Sequence, residues 1–389
     1  MRRFVEAVLR AFASFSSAGR GGAGQTAGGG QSTGPSRRGW NAATESVGQG
    51  EIEASGNPHE VSGLRKYALG EYEDAVEDFD RAIALEPENA GAYVMRAIMK
   101  DNLGHFEEAM EDFSLALNIE PDNGEIYVNR GVTRHRFGET VSALSDLDRA
   151  VLLQPDSAPG FFNRGVVKAS LGQEEGALAD YDQAVRLKPD YGEALFNRGK
   201  IRGGRGDLKG AIADFDRAIA HRPEDTDILV ERGLTRAGNG QLEAAISDFD
   251  SVLEIQPSRA DIYYMRGIFK RDLRRPWEAV VDFDQSVRLQ PDNAEAYLER
   301  GRAKFELDQW EEAVGDFGEV VRLQSNNIGA FYMRSLANAR LGMLDESIND
   351  LEEALRQIEE MGGDEELRGK LERSVESVRE ALEENRGQG

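Results

Sequence analysis

The sequence of 389 residues predicts an all-α protein built as an α-solenoid, and two observations carry that prediction. Proline recurs every 34 residues without slippage, at Pro87, Pro121, Pro155, Pro189, Pro223, Pro257 and Pro291. Between the prolines, apolar residues lie three, four and seven positions apart, which is the spacing of an amphipathic helix. A fixed period of this size is typical of stacked helical units that cannot bury their apolar faces alone.

Each unit is expected to be a pair of antiparallel helices. In the unit that ends at Pro189, Gly172 is expected to end the first helix in the left-handed conformation. Pro189 then stops the second helix, and Asp190 is expected to cap the helix that follows. Gly165 and Ala177 predict close packing, because a larger side chain at either position would hold the two helices apart.

The residues at fixed offsets resemble those of the tetratricopeptide repeat family. The family pattern has an aromatic residue, a small residue, Ala, an aromatic residue and Pro, and here Tyr127, Gly131, Ala143, Leu147 and Pro155 occupy those positions. Nine consecutive units of 34 residues span residues 56–361. The resemblance implies a right-handed superhelix of nine helical hairpins that serves as a non-enzymatic protein–protein interaction scaffold. Residues 362–386 are expected to form a helix that covers the apolar end of the last unit.

The chain before the repeats is different in composition. Residues 1–18 are expected to form a short amphipathic helix, and residues 19–55 a flexible tether rich in Gly and Ser. Such a helix is typical of an organelle transit peptide, a membrane-surface anchor or a partner-binding tail. Membrane contact is expected only through this helix. A cytoplasmic location is otherwise expected, with organelle targeting or membrane association through residues 1–18 as the alternative.

Composition limits the partners and the chemistry. The net charge is −24, and because residues 1–50 carry +4, the rest of the chain carries −28. An acidic body argues against nucleic acid as the main ligand and favours a basic peptide, or simply solubility. The absence of cysteine excludes disulfides and thiol catalysis. No P-loop, HExxH helix or nucleophile elbow is present, so we expect no enzyme, cofactor or metal site.

Two charged columns recur with the period. The Arg column comprises Arg96, Arg130, Arg164, Arg198, Arg232, Arg266, Arg300 and Arg334, and the Asp column comprises Asp78, Asp112, Asp146, Asp180, Asp214, Asp248, Asp282, Asp316 and Asp350. A functional interpretation is a basic track for an acidic ligand. A structural interpretation is a ladder of ion pairs between neighbouring helices, with Arg130, Arg164 and Arg198 facing Asp146, Asp180 and Asp214. The equal period of both columns favours the structural interpretation.

The resemblance also implies where a ligand would bind, because in this family the fifth and sixth positions of each first helix face a groove. The fifth position is never Lys here, so the clamp by which chaperone-binding members hold a terminal carboxylate is absent. The sixth position is Asn129, Asn163 and Asn197 in three consecutive units, and other members use such a ladder to hold a peptide backbone.

The residues around these asparagines suggest the kind of peptide. Phe162 and Phe196 lie beside two of them, and Glu125, Glu193 and Asp227 lie one turn earlier on the first helices. We therefore expect an extended partner segment with apolar side chains and a Lys or Arg. The alternative is that Asn is merely tolerated on a solvated helix face. An alternative function is an assembly or localisation factor that acts through its N-terminal helix, with the solenoid as a spacer.

Overall fold

The computed structural model describes residues 57–360 and 365–387, and within these ranges the chain forms nineteen helices and no strands. The helices are α1 Pro58–Leu69, α2 Tyr72–Leu85, α3 Ala90–Leu103, α4 Phe106–Ile119, α5 Gly124–Arg136, α6 Thr140–Leu153, α7 Ala158–Ser170, α8 Glu174–Leu187, α9 Gly192–Gly204, α10 Leu208–His221, α11 Thr226–Gly238, α12 Leu242–Ile255, α13 Ala260–Asp272, α14 Pro276–Leu289, α15 Ala294–Glu306, α16 Trp310–Leu323, α17 Ile328–Arg340, α18 Leu344–Glu360 and α19 Glu365–Gly387.

The helices α1 to α18 form nine hairpins, so the predicted all-α solenoid is confirmed. Each odd-numbered helix packs against the even-numbered helix that follows it, and each even-numbered helix packs against the first helix of the next unit. At several places consecutive odd-numbered helices also contact each other directly. The right-handed sense of the superhelix stays a prediction. The predicted helix of residues 1–18 and the predicted tether of residues 19–55 lie outside the described residues.

The turn inside each hairpin follows the sequence prediction. Gly172 has a φ of 73°, and six other units have Gly in the same left-handed conformation. In the seventh and eighth units the position is held by Arg274 and Asp308, with φ values of 63° and 59°. The turn geometry is therefore kept in all nine units, even where the residue has a Cβ that disfavours it.

The turn between hairpins corrects one prediction. Asp190 lies within the turn and does not cap a helix, because helix α9 begins two residues later, at Gly192. The N-cap position is the second residue after the proline, and in most units its side chain accepts a backbone N–H from the first turn of the helix. The residues that do so are Asn57, Asn89, Asn123, Ser157, Asp225, Asn293 and Asn327.

The core of each hairpin is one large side chain set against one small residue. The large residues are fully buried on the even-numbered helices, as Phe79, Phe113, Leu147, Tyr181, Phe215, Phe249, Phe283, Phe317 and Leu351. A Cβ built on Gly199 would lie 2.7 Å from Cε1 of Phe215, and a Cβ on Gly165 would lie 2.7 Å from Cε1 of Tyr181. The missing side chain is therefore what allows the ring to touch the backbone of the facing helix.

Helix α19 packs on the last hairpin. Leu371 and Val375 are buried against Leu351 and Ile358, with Leu367 and Val378 at the edge of the same cluster. This contact removes the apolar end of the stack from water, which a repeat array requires for solubility.

Gly199→Ala and Gly204→Ala are expected to have opposite effects on stability. The first places a methyl group against the Phe215 ring and should lower the free energy of unfolding by about 1–3 kcal/mol. The second lies at the end of the same helix with nothing within 4 Å, and should raise it by about 0.5–1 kcal/mol. Urea unfolding of both variants measures the difference. Equal losses would show that the close approach at Gly199 does not limit the packing.

Candidate functional site

Every even-numbered helix from α2 to α18 carries one aspartate of the Asp column, and all nine are buried, with exposed fractions between 1 and 6%. A buried carboxylate is costly unless several donors replace the water that it loses. The donors around this column therefore determine whether the Arg column is used inside the structure or is available to a ligand.

The Arg column supplies two of those donors in each unit from the second to the ninth. In the fifth unit, Arg198 Nε donates to Asp214 Oδ2 over 2.9 Å, and its Nη2 donates to Asp214 Oδ1 over 2.5 Å. Arg130 and Arg164 bind Asp146 and Asp180 by the same fork. We call this set of Arg–Asp pairs the charge ladder. In the first unit, Ser62 takes the place of Arg and donates its hydroxyl to Asp78.

A second cation reaches the same carboxylate from one turn further along the odd-numbered helix. In the fourth unit, Lys168 Nζ lies 2.8 Å from Asp180 Oδ2, and in the fifth, Arg202 Nη1 lies 2.9 Å from Asp214 Oδ2. The equivalent contacts are made by Lys66, Lys100, Arg134, Arg236, Lys270 and Lys304. In the ninth unit the neutral Asn338 donates instead.

The ladder also joins successive units. The remaining nitrogen of Arg198, Nη1, donates to Asp182 on helix α8 of the preceding unit over 2.8 Å. The same bond is made to Asp80, Asp148, Asp216, Asp250 and Asp284. Sequence reasoning did not assign a bond between units to this second aspartate, although it recurs two residues after the buried one in six of the eight units that another unit follows. Ser114 and Gly318 hold its place in the other two, and there the bond is absent.

The guanidinium groups of the ladder arginines are contacted by carboxylates and, in most units, by an aromatic ring. Burial by itself lowers the pKa of Arg198, but the hydrogen bonds and charges of Asp214 and Asp182 outweigh it, so the pKa lies above its ordinary value. Six of the eight guanidinium groups also lie over the ring three residues earlier in the helix, as Arg164 does over Phe161 at 5.4 Å. The Arg column is thus committed to partners within the described part of the chain.

The predicted asparagine row is not uniform. Asn129 and Asn197 are half-buried, and their amide groups have no hydrogen-bond partner among the described residues. Asn163 is only 6% exposed, and its Nδ2 donates to the carbonyl of Pro159 over 2.9 Å. Two of the three amides are therefore unpaired within the described part of the chain, while the third bonds to its own helix.

The predicted aromatic and acidic residues also fall into two groups, those that are accessible and those that are buried or already paired. Phe162 is 2% exposed, with its ring 5.0 Å from that of Tyr191, so the structure places it in the core and not on the surface. Phe196 is half-buried, with Lys200 Nζ 5.4 Å from its ring centre. Glu125 and Asp227 are exposed. The carboxylate of Glu193 is bound by the Arg222 guanidinium and is mostly covered.

One charged cluster on the odd-numbered helices was not predicted. Arg271 of α13 and Arg302 of α15 both contact the carboxylate of Glu299, which is 7% exposed. Burial lowers the pKa of both arginines below the ordinary value. These residues do not recur with the period, so a search for repeating columns passes over them.

The described residues, 57–360 and 365–387, hold neither a metal-binding cluster nor a helix that could span a membrane. No group of three or more His, Asp or Glu side chains there is arranged to hold a metal ion. Within the same ranges, no helix is long and apolar enough to span a membrane.

Arg198→Ala is expected to destabilise the protein more than Lys209→Ala does. The first change removes three hydrogen bonds and leaves the buried Asp214 with Arg202 alone, which should cost about 3–5 kcal/mol. Lys209 is exposed on α10 with no ion pair in the described part of the chain, so its loss should change stability by about 0.5 kcal/mol or less. Urea unfolding measures both changes. Equal and small losses of unfolding free energy would mean that the Arg column is not structural and would favour the interpretation as a basic track.

Comparison with known proteins places the repeats. Models described as TPR repeat and tetratricopeptide repeat match residues 63–97, 90–123, 167–203, 196–260 and 264–328, and together they cover more than half of the chain. No curated protein matches the chain.

Several solved structures are similar over part of the chain. A type IV pilus biogenesis factor, PilW, is 23% identical, covers 52% of this chain and 93% of its own, and has a TM-score of 0.47. YrrB, described as a TPR protein with an unusual peptide-binding site, is 24% identical, covers 47% and 95%, and has a TM-score of 0.45. A tetratricopeptide repeat protein from Parabacteroides merdae is 20% identical, covers 63% and 97%, and has a TM-score of 0.43.

The assignment to a family rests on the matching repeat models and on the nine helical hairpins. Tetratricopeptide repeats are typically non-enzymatic and form interaction scaffolds. This protein belongs to the tetratricopeptide repeat family.

Proposed function

We propose that this protein is a non-enzymatic protein–protein interaction scaffold that holds an extended segment of a partner protein. The segment binds to the peptide face, by which we mean Glu125 and Asn129 of α5, Phe196 and Asn197 of α9, and Asp227 of α11. Phe162 and Asn163 hold the equivalent positions on α7 but are buried, so they are not part of this face.

One observation carries the proposal: the free amides of Asn129 and Asn197. The asparagines at the helix starts, such as Asn89 and Asn123, are bonded to backbone N–H groups and so have a structural role. Asn129 and Asn197 have no such partner in the described chain and are partly open to water. An asparagine amide both donates and accepts, so it can pair with the N–H and C=O of a peptide whatever the peptide's sequence.

The charge ladder supports this use of the face. Arg130 follows Asn129 on α5, and Arg198 follows Asn197 on α9. Through these two arginines the ladder fixes α5 against α6 and α9 against α10. A face that is rigid before binding loses little conformational entropy on binding. Two well-placed amides then contribute to affinity without first being ordered.

The neighbouring side chains define the segment. The half-exposed ring of Phe196 favours an apolar side chain, and the exposed carboxylates of Glu125 and Asp227 favour a Lys or Arg. Glu193 contributes less, because the Arg222 guanidinium already neutralises its charge. The proposed partner is therefore an extended, mixed apolar and basic segment, in keeping with the acidic charge of the chain.

Replacing Asn129 and Asn197 together with Ala should weaken peptide binding about tenfold, or roughly 1.4 kcal/mol. The probe is a 12-residue peptide selected on the full chain from a displayed random library, and titration calorimetry measures its affinity. Adding Asn163→Ala should change affinity little further, because that amide is buried and bonded to Pro159.

The matched control replaces three amide side chains on even-numbered helices, Asn118, Gln183 and Asn349, with Ala. This control should leave the affinity for the peptide unchanged. A chain without residues 1–55 should also bind the peptide with full affinity. If the control weakens binding as much as the double variant, the peptide face is misplaced. If removal of residues 1–55 abolishes binding, the active part is the N-terminal segment and the solenoid is a spacer.

A further inference from the structure

The cluster of Arg271, Glu299 and Arg302, which we call the arginine cluster, is built differently from the charge ladder. In the ladder, Arg198 uses all three of its side-chain nitrogen atoms to bind two carboxylates. In the arginine cluster, two guanidinium groups share the single carboxylate of Glu299. Arg302 Nη1 donates to Glu299 Oε1 over 2.6 Å, and Arg271 Nη1 contacts the other oxygen. The Nε and Nη2 atoms of both arginines therefore have no hydrogen-bond partner among the described residues.

These four free nitrogen atoms are partly covered by the fold but still reach water. The side chains of Arg271 and Arg302 are 17% and 23% exposed, and none of the four atoms is fully enclosed. Burial lowers the pKa of both arginines, whereas the bound carboxylates raise the pKa of Arg198 in the ladder. The arginine cluster thus has one more cation than the buried carboxylate can neutralise.

Tyr264 of α13 adds a hydroxyl group at the same place. Burial raises the pKa of Tyr264, and the positive charges of Arg271 and Arg302 act on it in the opposite direction, so the hydroxyl lies near both guanidinium groups. The Tyr264 ring packs against the Phe283 ring with their centres 6.1 Å apart, which holds it in place. Its hydroxyl has no hydrogen-bond partner in the described chain. The site therefore offers one neutral donor and two charged ones.

The arginine cluster lies in the row of positions that the peptide face uses. Glu299 is three periods after Asn197, and Tyr264 is two periods after Phe196. Helix α13 begins the unit that follows α11, the helix that carries Asp227, and α13 and α15 contact each other directly. A segment that continues along the row beyond Asp227 therefore reaches the arginine cluster.

Exposed carboxylates around the cluster limit the charge of a ligand. Asp272 lies 3.7 Å from Arg271 Nη2, and Glu295 and Glu306 act on the pKa of Arg302 without pairing with any described residue. All three are exposed, so water and salt screen their attraction for the arginines. They leave the free nitrogen atoms available but disfavour a second negative charge. The ligand that fits is a carboxylate with a single charge and not a phosphate.

We propose that the arginine cluster and Tyr264 bind one acidic side chain of the partner segment. A planar guanidinium group presents paired N–H donors that match the two oxygens of a carboxylate. The inference rests on the proposed function, because it extends the same segment from the peptide face to α13 and α15. Apolar and basic residues then lie against α5 to α11 and an Asp or Glu against the cluster. The order of charges fixes the direction in which the segment binds.

A displayed library of random 20-residue peptides, selected on the full chain, provides the probe, and titration calorimetry measures its affinity. The selected peptides should contain an Asp or Glu. Replacing it with Asn or Gln should weaken binding about tenfold, because charged hydrogen bonds are lost. The same peptide change should alter binding to an Arg302→Gln protein less than twofold. Tyr264→Phe keeps the ring against Phe283 and should weaken binding of the acidic peptide about threefold.

Arg340→Gln is the matched control, because Arg340 is exposed on α17 and has no partner in the described chain. It should leave the tenfold effect of the acidic residue unchanged. Urea unfolding checks that each variant is folded, and if Arg302→Gln is not, Tyr264→Phe decides alone. Selected peptides without an acidic residue, or an acidic residue whose effect is the same on every variant, would overturn the inference.

The same peptides separate this inference from the proposed function. Binding that depends on Asn129 and Asn197 but not on Arg302 or Tyr264 overturns the acidic-residue site and leaves the peptide face intact. Binding that depends on Arg302 and Tyr264 but not on the two asparagines supports the site and shows that the peptide face is misplaced.

Discussion

A buried carboxylate in every hairpin is the constraint on which this structure depends. An aspartate that is 1 to 6% exposed is stable only if several donors surround it, and in eight of the nine hairpins a forked Arg does so, in most cases with a second cation. The two partners of each fork lie sixteen residues apart on facing helices. An insertion of one residue between them would leave a charge unpaired in the core, which explains physically why the period does not slip.

The ladder also separates what is fixed on the odd-numbered helices from what is free to vary. The residue after each sixth position is Arg in eight units, whereas the sixth position itself is Met, Asn or Glu. Stability is thus concentrated in positions that repeat, and the proposed peptide face uses positions that do not. The same division applies at Ser114. There, serine replaces the repeating aspartate, so the bond from Arg130 to the preceding unit is absent while both hairpins are kept.

Sequence reasoning reached the hairpins, the left-handed turn at Gly172 and the family, because each depends on local chemistry repeated nine times. It did not distinguish Phe162 from Phe196, which hold the same place in successive units. Phe162 is buried because the ring of Tyr191, the last residue of its unit, lies beside it, whereas Asp225 stands at the equivalent place after Phe196. Glu193 was predicted to be free, but Arg222 contacts it from the turn that ends α10. The contacts of these two residues involve side chains that do not repeat, such as Tyr191 and Arg222, and a period reveals nothing about them.

The central claim is that the ladder holds the stack together, and a double-mutant cycle on Arg266 and Asp282 tests it most directly. Each residue is replaced by Ala, singly and together, and the free energy of unfolding of the four proteins is measured in urea. The fork between them, at 2.9 and 2.6 Å around a carboxylate that is 1% exposed, predicts a coupling energy of about 2 kcal/mol or more. A coupling energy near zero would mean that the two charges are stabilised independently and that the hairpins are held by apolar packing alone.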